Sequence, residues 1–164
     1  MPIKVGSQAP DFTLKSKTAA GLVDVKLSEN FGKKNTVLLF FPAAFTGVCT
    51  QEMCDISAGL GSYAGLNADV VAISVDTPFA QEAWAQKEKI TVPLLSDYEH
   101  KIAKEYGVMY DSFLPQMNLG MSGVPKRSAF IIDRNGVIQY AESNDDARQL
   151  PNFEKIKEKL TELK

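Results

Sequence analysis

The sequence predicts an α/β fold in which a mixed central sheet is flanked by helices and preceded by an N-terminal β-hairpin. Three observations carry this. Thr36–Phe41 and Ala68–Ser74 are almost wholly apolar, as strands buried on both faces are. Helix-like segments alternate with these runs, which makes a βαβ unit. Two further strand-like runs, Arg127–Asp133 and Val137–Ala141, flank Asn135-Gly136, a strong hairpin signal.

Taken in order, Asp11–Leu14 and Leu22–Leu27 alternate apolar with polar residues, the pattern of a half-buried hairpin. Helices are expected over Gly47 to about Leu60, Pro78–Lys89, Tyr98–Tyr106 and Pro151–Leu163. Pro78 and Pro151 suit the first turn, where a missing N–H costs nothing. Gly107–Lys126 resists assignment. It holds three glycines and two prolines, yet also Met109, Phe113, Leu114, Met117, Leu119 and Met121. It reads either as a loop folded over the core or as an apolar wall of a site or self-association surface.

The 164 residues suit a single domain spanning 1–164. The 45% hydrophobic and 23% charged residues are ordinary globular values and argue against disorder. Lys and Arg total 18 against 20 Asp and Glu, so the net charge of −2 leaves no basic footprint for nucleic acid. The longest apolar run, Val37–Phe41, stops at Pro42, far short of the ~20 residues of a membrane span. Met1–Ser7 has no apolar signal segment, so a cytoplasmic location is expected. Two cysteines and the distant His100 cannot assemble a four-ligand metal site, and no cofactor is called for. His100 is expected on a solvated helix face, Trp84 in the core and Arg148 on a surface loop.

In a reducing compartment, disulfides tend to be transient and catalytic, which directs attention to Cys49 and Cys54. Cys49 falls in the first turn of the Gly47 helix, where free N–H groups and the helix dipole favour a thiolate. A thiol with a pKa of ~8.5 is only about 3% ionised at neutral pH. Lowering the pKa to ~6 raises that fraction roughly thirtyfold, while the loss of intrinsic nucleophilicity takes back about tenfold. A fast enzyme must therefore also stabilise its transition state with hydrogen-bond donors. Pro42, Thr46 and Cys49 have the spacing P-x-x-x-T-x-x-C. Pro42 ends the strand. Thr46 either caps the helix or aims its hydroxyl at the sulfur or a bound oxygen; local spacing favours the cap.

Phe-Phe-Pro-Ala-Ala-Phe-Thr-Gly-Val-Cys resembles the active-site segment of the peroxiredoxins, thiol peroxidases with a thioredoxin-like fold. The likeness runs from Gly6–Phe12 through Ala72–Asp76 and Pro93–Asp97 to Arg127–Asp133. It implies that Cys49 is the peroxidatic cysteine, that Thr46 and Pro42 shape its pocket, and that Arg127 is the active-site arginine. The implied substrates are hydrogen peroxide and organic hydroperoxides, with thioredoxin or a glutaredoxin-like protein returning electrons to a monomer or homodimer. A bare carboxylate at Glu52, one turn beyond Cys49, would discourage the thiolate. The resemblance pairs Glu52 with Arg127 and removes that conflict.

Cys54 is spaced as the resolving cysteine of the bacterioferritin-comigratory subgroup, whereas Phe-Pro-Ala-Ala-Phe-Thr-Gly is closer in wording to the alkyl hydroperoxide reductase E subgroup, some of which use one cysteine. Five residues apart in an intact helix, the two Cα atoms lie about 8.7 Å apart. Disulfides rarely span more than ~6.8 Å, so resolution by Cys54 requires local unwinding. Two other functions remain open: a disulfide oxidoreductase without peroxidase activity, which normally uses C-x-x-C, and a redox-responsive binding module acting through Gly107–Lys126.

Overall fold

The computed structural model describes all of Met1–Lys164. Its strands are β1 (Thr13–Thr18), β2 (Gly21–Lys26), β3 (Asn35–Phe40), β4 (Ala68–Ser74), β5 (Leu94–Ser96), β6 (Ser128–Ile132) and β7 (Ile138–Ser143). The helices are α1 (Gly47–Ala58), α2 (Leu60–Ala64), α3 (Pro78–Glu88), α4 (Lys101–Glu105) and α5 (Phe153–Leu163). The seven strands form one sheet in the order β2-β1-β5-β4-β3-β6-β7. β3, β4 and β5 are parallel, while β1 and β6 join them antiparallel. The mixed sheet and its N-terminal hairpin thus match the expectation.

The period of two along β3 divides its side chains between two cores. Val37 and Leu39, with Phe41 beyond the strand, pack with Cys49, Met53 and Ile56 of α1, Trp84 of α3, and Ile156 and Leu160 of α5. Leu38 and Phe40 face the other way, onto Phe12, Ile102 and Ala103 of α4, Tyr106 and Phe130. All six β3 residues are buried, and the strand is apolar from Val37 to Phe40.

Element ends differ from the sequence reading for local reasons. The hairpin begins at Thr13, because the Asp11 carboxylate turns the chain by accepting from the N–H groups of Phe12 and Ser28. The expected Gly47–Leu60 helix divides at Gly59 into α1 and α2. α4 starts at Lys101 rather than Tyr98. The Asp97 carboxylate accepts from Ile102 and Ala103 N–H, and His100 adopts φ +62. Pro151 precedes the last helix instead of opening it, since Asn152 is the cap and its side chain accepts from Lys155 N–H. β5 has only three residues, too few for a readable period.

The Asn135-Gly136 signal does mark the β6–β7 hairpin. Only Gly136 takes positive φ, +79, and the connection closes with Gly136 N–H donating to Asp133 O and Asp133 N–H to Val137 O. A Cβ at Gly136 would lie 2.8 Å from the Phe31 ring. Gly136→Ala is therefore expected to cost about 1–3 kcal/mol, from backbone strain and overlap together. A urea-unfolding midpoint equal to that of the wild type would contradict this.

Candidate active site

The candidate site lies beyond the carboxyl end of β3, where open α/β sheets hold their ligands. Phe41 N–H still bonds to Ile73 O at 3.0 Å, and buried Pro42 then stops the ladder. Asp76 holds the turn that follows: its Oδ2 accepts from Ala44 N–H (2.8 Å) and from the Ser74 hydroxyl (2.6 Å). Phe45 takes φ +67, Thr46 returns to an extended conformation, and α1 begins at Gly47. The backbone N–H groups of Gly47, Val48 and Cys49 make no hydrogen bond within the chain. They put the positive end of α1 beside the Cys49 sulfur.

Arg127 arrives by sheet register. β6 pairs with β3 so that Ser128 opposes Phe40, which brings Arg127 to the level where β3 ends. Its guanidinium is fixed at three points. Nε donates to Ala147 O (2.8 Å), Nη1 to Glu52 Oε1 (3.2 Å) and Nη2 to Cys49 Sγ (3.0 Å). Arg127 and Cys49 are 1% exposed and Glu52 is 0% exposed. Glu52 is not a solvated surface residue. Burial pushes its carboxyl up to about 7, the Arg127 charge and hydrogen bond oppose that rise, and Glu142 adds to it.

Cys49 borders a cleft of about 740 Å³, together with Pro42, Thr46 and Arg127. Phe113, Leu114, Met117, Leu119 and Met121 supply one apolar wall, so Gly107–Lys126 is both a cover over the core, through buried Val108 and Val124, and a wall of the site. A smaller cleft of about 480 Å³ between the N-terminal hairpin and α2 contains no thiol.

Thr46 occupies the N-cap position by backbone, but its side chain makes no capping bond. Its hydroxyl donates to Ala43 O at 2.8 Å. With one hydroxyl proton so used, Thr46 does not donate to the sulfur, and its oxygen remains an acceptor toward the cleft. His100 also departs from expectation. It is half-buried, with Nδ1 2.7 Å from Gly123 O, and pins the wall segment to α4. Trp84 is fully buried, as expected, and donates from Nε1 to Thr50 Oγ1 at 3.0 Å. Arg148 is exposed on the cleft rim, paired with Asp146 at 2.9 Å.

Cys54 lies in the same unbroken helix as Cys49 but faces α3, and its thiol donates to Glu88 O at 3.6 Å. Burial and the neighbouring Glu88 and Asp55 charges raise its pKa. Three participants escaped the sequence reading. Ala147 contributes only a carbonyl, for which no side-chain signal exists. Asp76 was readable in the Asp-Thr-Pro turn chemistry before α3. Tyr110, whose hydroxyl donates to Asp145 O at 2.6 Å, was concealed by the unassigned segment.

A seven-strand mixed sheet carrying a buried thiol at a helix start beyond an interior strand defines a thioredoxin-like thiol protein. Residues 5–141 match the AhpC/TSA family, and the chain belongs to that family. It is 34% identical over 148 residues to the chloroplastic 2-Cys peroxiredoxin BAS1 of Spinacia oleracea, covering 86% of this chain and 52% of that protein. It thus spans about half the length of this relative. Over 142 residues it is 34% identical to alkyl hydroperoxide reductase E of Mycobacterium tuberculosis, covering 85% of each. The reduced 2-Cys peroxiredoxin of Plasmodium vivax superposes with a TM-score of 0.84 at 28% identity, covering 97% of this chain and 81% of that one. No helix is long and apolar enough to cross a membrane.

Glu52 also makes stability depend on pH. Its carboxyl holds the proton more tightly in the folded chain than in the unfolded one, where 4.5 applies. The stabilisation from this difference is complete below 4.5 and is lost as pH rises through about 7. Urea midpoints of the wild type should therefore fall relative to Glu52→Gln between those values. Parallel profiles for the two proteins would contradict this.

Proposed function

We propose that the protein is a thiol peroxidase reducing hydrogen peroxide and organic hydroperoxides through Cys49. The observation that carries this reading is the 3.0 Å contact between Cys49 Sγ and Arg127 Nη2 on the wall of an open cleft. The printed names of the relatives, a 2-Cys peroxiredoxin and an alkyl hydroperoxide reductase, support it.

The Cys49 thiolate attacks the terminal, hydrogen-bearing oxygen of the hydroperoxide. The S–O bond forms as the O–O bond breaks, and the departing alkoxide or hydroxide acquires a proton. The product at Cys49 is a sulfenic acid. Arg127 and the free N–H groups at the start of α1 receive the charge that develops on the leaving oxygen, while Thr46 Oγ1 accepts from the peroxide O–H. Pro42 narrows the pocket, and Glu52 holds the guanidinium in place. Ionising the sulfur alone supplies only a few-fold in rate, so the donors supply the larger share.

Cys54 then attacks the Cys49 sulfur. Water leaves, an intramolecular disulfide forms, and a dithiol reductant such as thioredoxin restores both thiols in the cytosol. Closing that bond requires unwinding the first half of α1, which breaks the Thr50–Trp84 and Cys54–Glu88 hydrogen bonds. The far end stays anchored, because Ser57 Oγ accepts from Thr91 and Val92 N–H. A second reading, in which an external thiol reduces the sulfenic acid directly, is favoured by one observation: Cys54 is engaged with α3 and faces away from Arg127.

Cys49→Ser should abolish peroxide reduction, and Arg127→Gln should lower its rate constant by about 10²–10³. Thioredoxin-coupled turnover should collapse in Cys54→Ser while one equivalent of peroxide is still consumed. Mass spectrometry after that equivalent should show a Cys49–Cys54 disulfide in the wild type. A stable sulfenic acid in a wild type that still turns over would establish the one-cysteine route instead. A wild type inert toward all hydroperoxides, with every thiol donor, would overturn the enzyme reading.

A further inference from the structure

Three ionisable side chains meet almost wholly buried, Cys49 and Arg127 at the wall of the cleft and Glu52 behind them, and their charges do not match. Arg127 is one cation. Cys49 and Glu52 are two acids on neighbouring nitrogens of it, 3.0 and 3.2 Å away. With both acids ionised, the cluster buries a surplus negative charge; with both protonated, it buries a surplus positive one. Either is strongly disfavoured without further pairing. The neutral cluster holds one proton between two acids.

In water the carboxyl would ionise first and leave the proton on sulfur. Several features of this site favour the proton on the carboxyl. Glu52 Oε2 is buried and has no hydrogen-bond partner, so its charge is poorly compensated. The three unbonded N–H groups of Gly47, Val48 and Cys49 lie at the sulfur's end of α1, one turn before Glu52. From β7, Glu142 adds negative potential at Glu52, and burial acts in the same direction. Glu142 is itself occupied, accepting from the Tyr140 hydroxyl and Asn152 N–H. At the cleft rim, Asp145 is paired with Lys126 and Asp146 with Arg148, while the Tyr110 hydroxyl is bonded to Asp145 O. These rim groups add little net charge at the sulfur.

We propose that Glu52 holds the proton that Cys49 gives up, and releases it when the sulfur is oxidised. The proposal rests on the peroxidase reading above and adds a proton balance to it. Thiolate, guanidinium and carboxylic acid, with a hydroperoxide, become sulfenic acid, guanidinium and carboxylate, with an alcohol. One S–O bond forms and one O–O bond breaks; sulfur is oxidised and the peroxide reduced. The alkoxide takes a proton from water in the cleft while Glu52 yields one, so net exchange with solvent is zero. The cluster is neutral before and after. Glu52 is not among the residues that line the cleft, so it acts through Arg127 as a positioning residue rather than on substrate.

The test uses the full chain in the Cys54→Ser background, which isolates the first oxidation. Infrared difference spectra on adding one equivalent of hydrogen peroxide should show loss of a protonated-carboxyl C=O band and gain of carboxylate. Glu52→Gln should lack both changes and should instead take up about one proton per sulfur oxidised, read with a pH indicator in weak buffer. The pH of half-maximal Cys49 alkylation by iodoacetamide should stay nearly unchanged in Glu52→Gln, because glutamine has the charge of the protonated carboxyl that the thiolate already faces. No carboxyl band change in the protein retaining Glu52 would overturn the proposal, and that measurement does not depend on the variant folding. An alkylation midpoint lower by a full unit or more in a folded Glu52→Gln would also overturn it, since Glu52 would then be ionised while Cys49 titrates. The alkylation arm uses no peroxide, so an unshifted midpoint in a protein inert to hydroperoxides sinks the peroxidase reading while leaving the proton on Glu52.

Discussion

A buried guanidinium held at three points is the constraint on which the rest of the site depends. Arg127 is 1% exposed, and a cation so placed is tolerable only if its donors are used and its charge is met. The Ala147 carbonyl, Glu52 and Cys49 do this together. Each also restricts the others. Glu52 fixes the plane of the guanidinium, the carbonyl fixes its depth, and the remaining nitrogen is left facing the sulfur. Removing any one leaves a buried charge or donor unmet, so the cluster acts as a unit.

The sheet gives this unit its address. β3 runs through the centre of the molecule with every residue buried, so its register against β4 and β6 is strongly specified. A slip of one residue would turn Leu38 and Phe40 into the wrong core and move Arg127 away from the end of β3. The apolar pattern that builds the interior therefore also sets the distance between the guanidinium and the sulfur. The helix after β3 then starts where Pro42 and the Asp76 carboxylate allow it to.

Much of this was legible in the residues. The two-face burial of Thr36–Phe41 and Ala68–Ser74, the helix placing Cys49 in its first turn, and the hairpin around Gly136 all follow from short-range patterns. What escaped depended on distant partners. Thr46 satisfies its hydroxyl on Ala43 O instead of on the helix, a choice set by the turn at Phe45. His100 looks like a helix-surface residue until Gly123 folds back to meet it. The Glu52–Arg127 pair, which the family likeness implied, could not be read from spacing alone, because β6 delivers the cation. Without the family likeness, Arg127 itself would be one surface arginine among several, because its importance comes from antiparallel pairing and not from its neighbours in sequence.

The only tryptophan of the chain sits against the half of α1 that carries Cys49, with its indole N–H on Thr50 and its ring beside Phe41 and Phe45. Any rearrangement that peels those residues off the sheet changes the polarity and quenching around a single chromophore. The protein thus contains its own optical gauge of helix opening, free of interference from other indoles. The kinetics of that opening can be followed in the unlabelled chain, on the timescale of the chemistry itself.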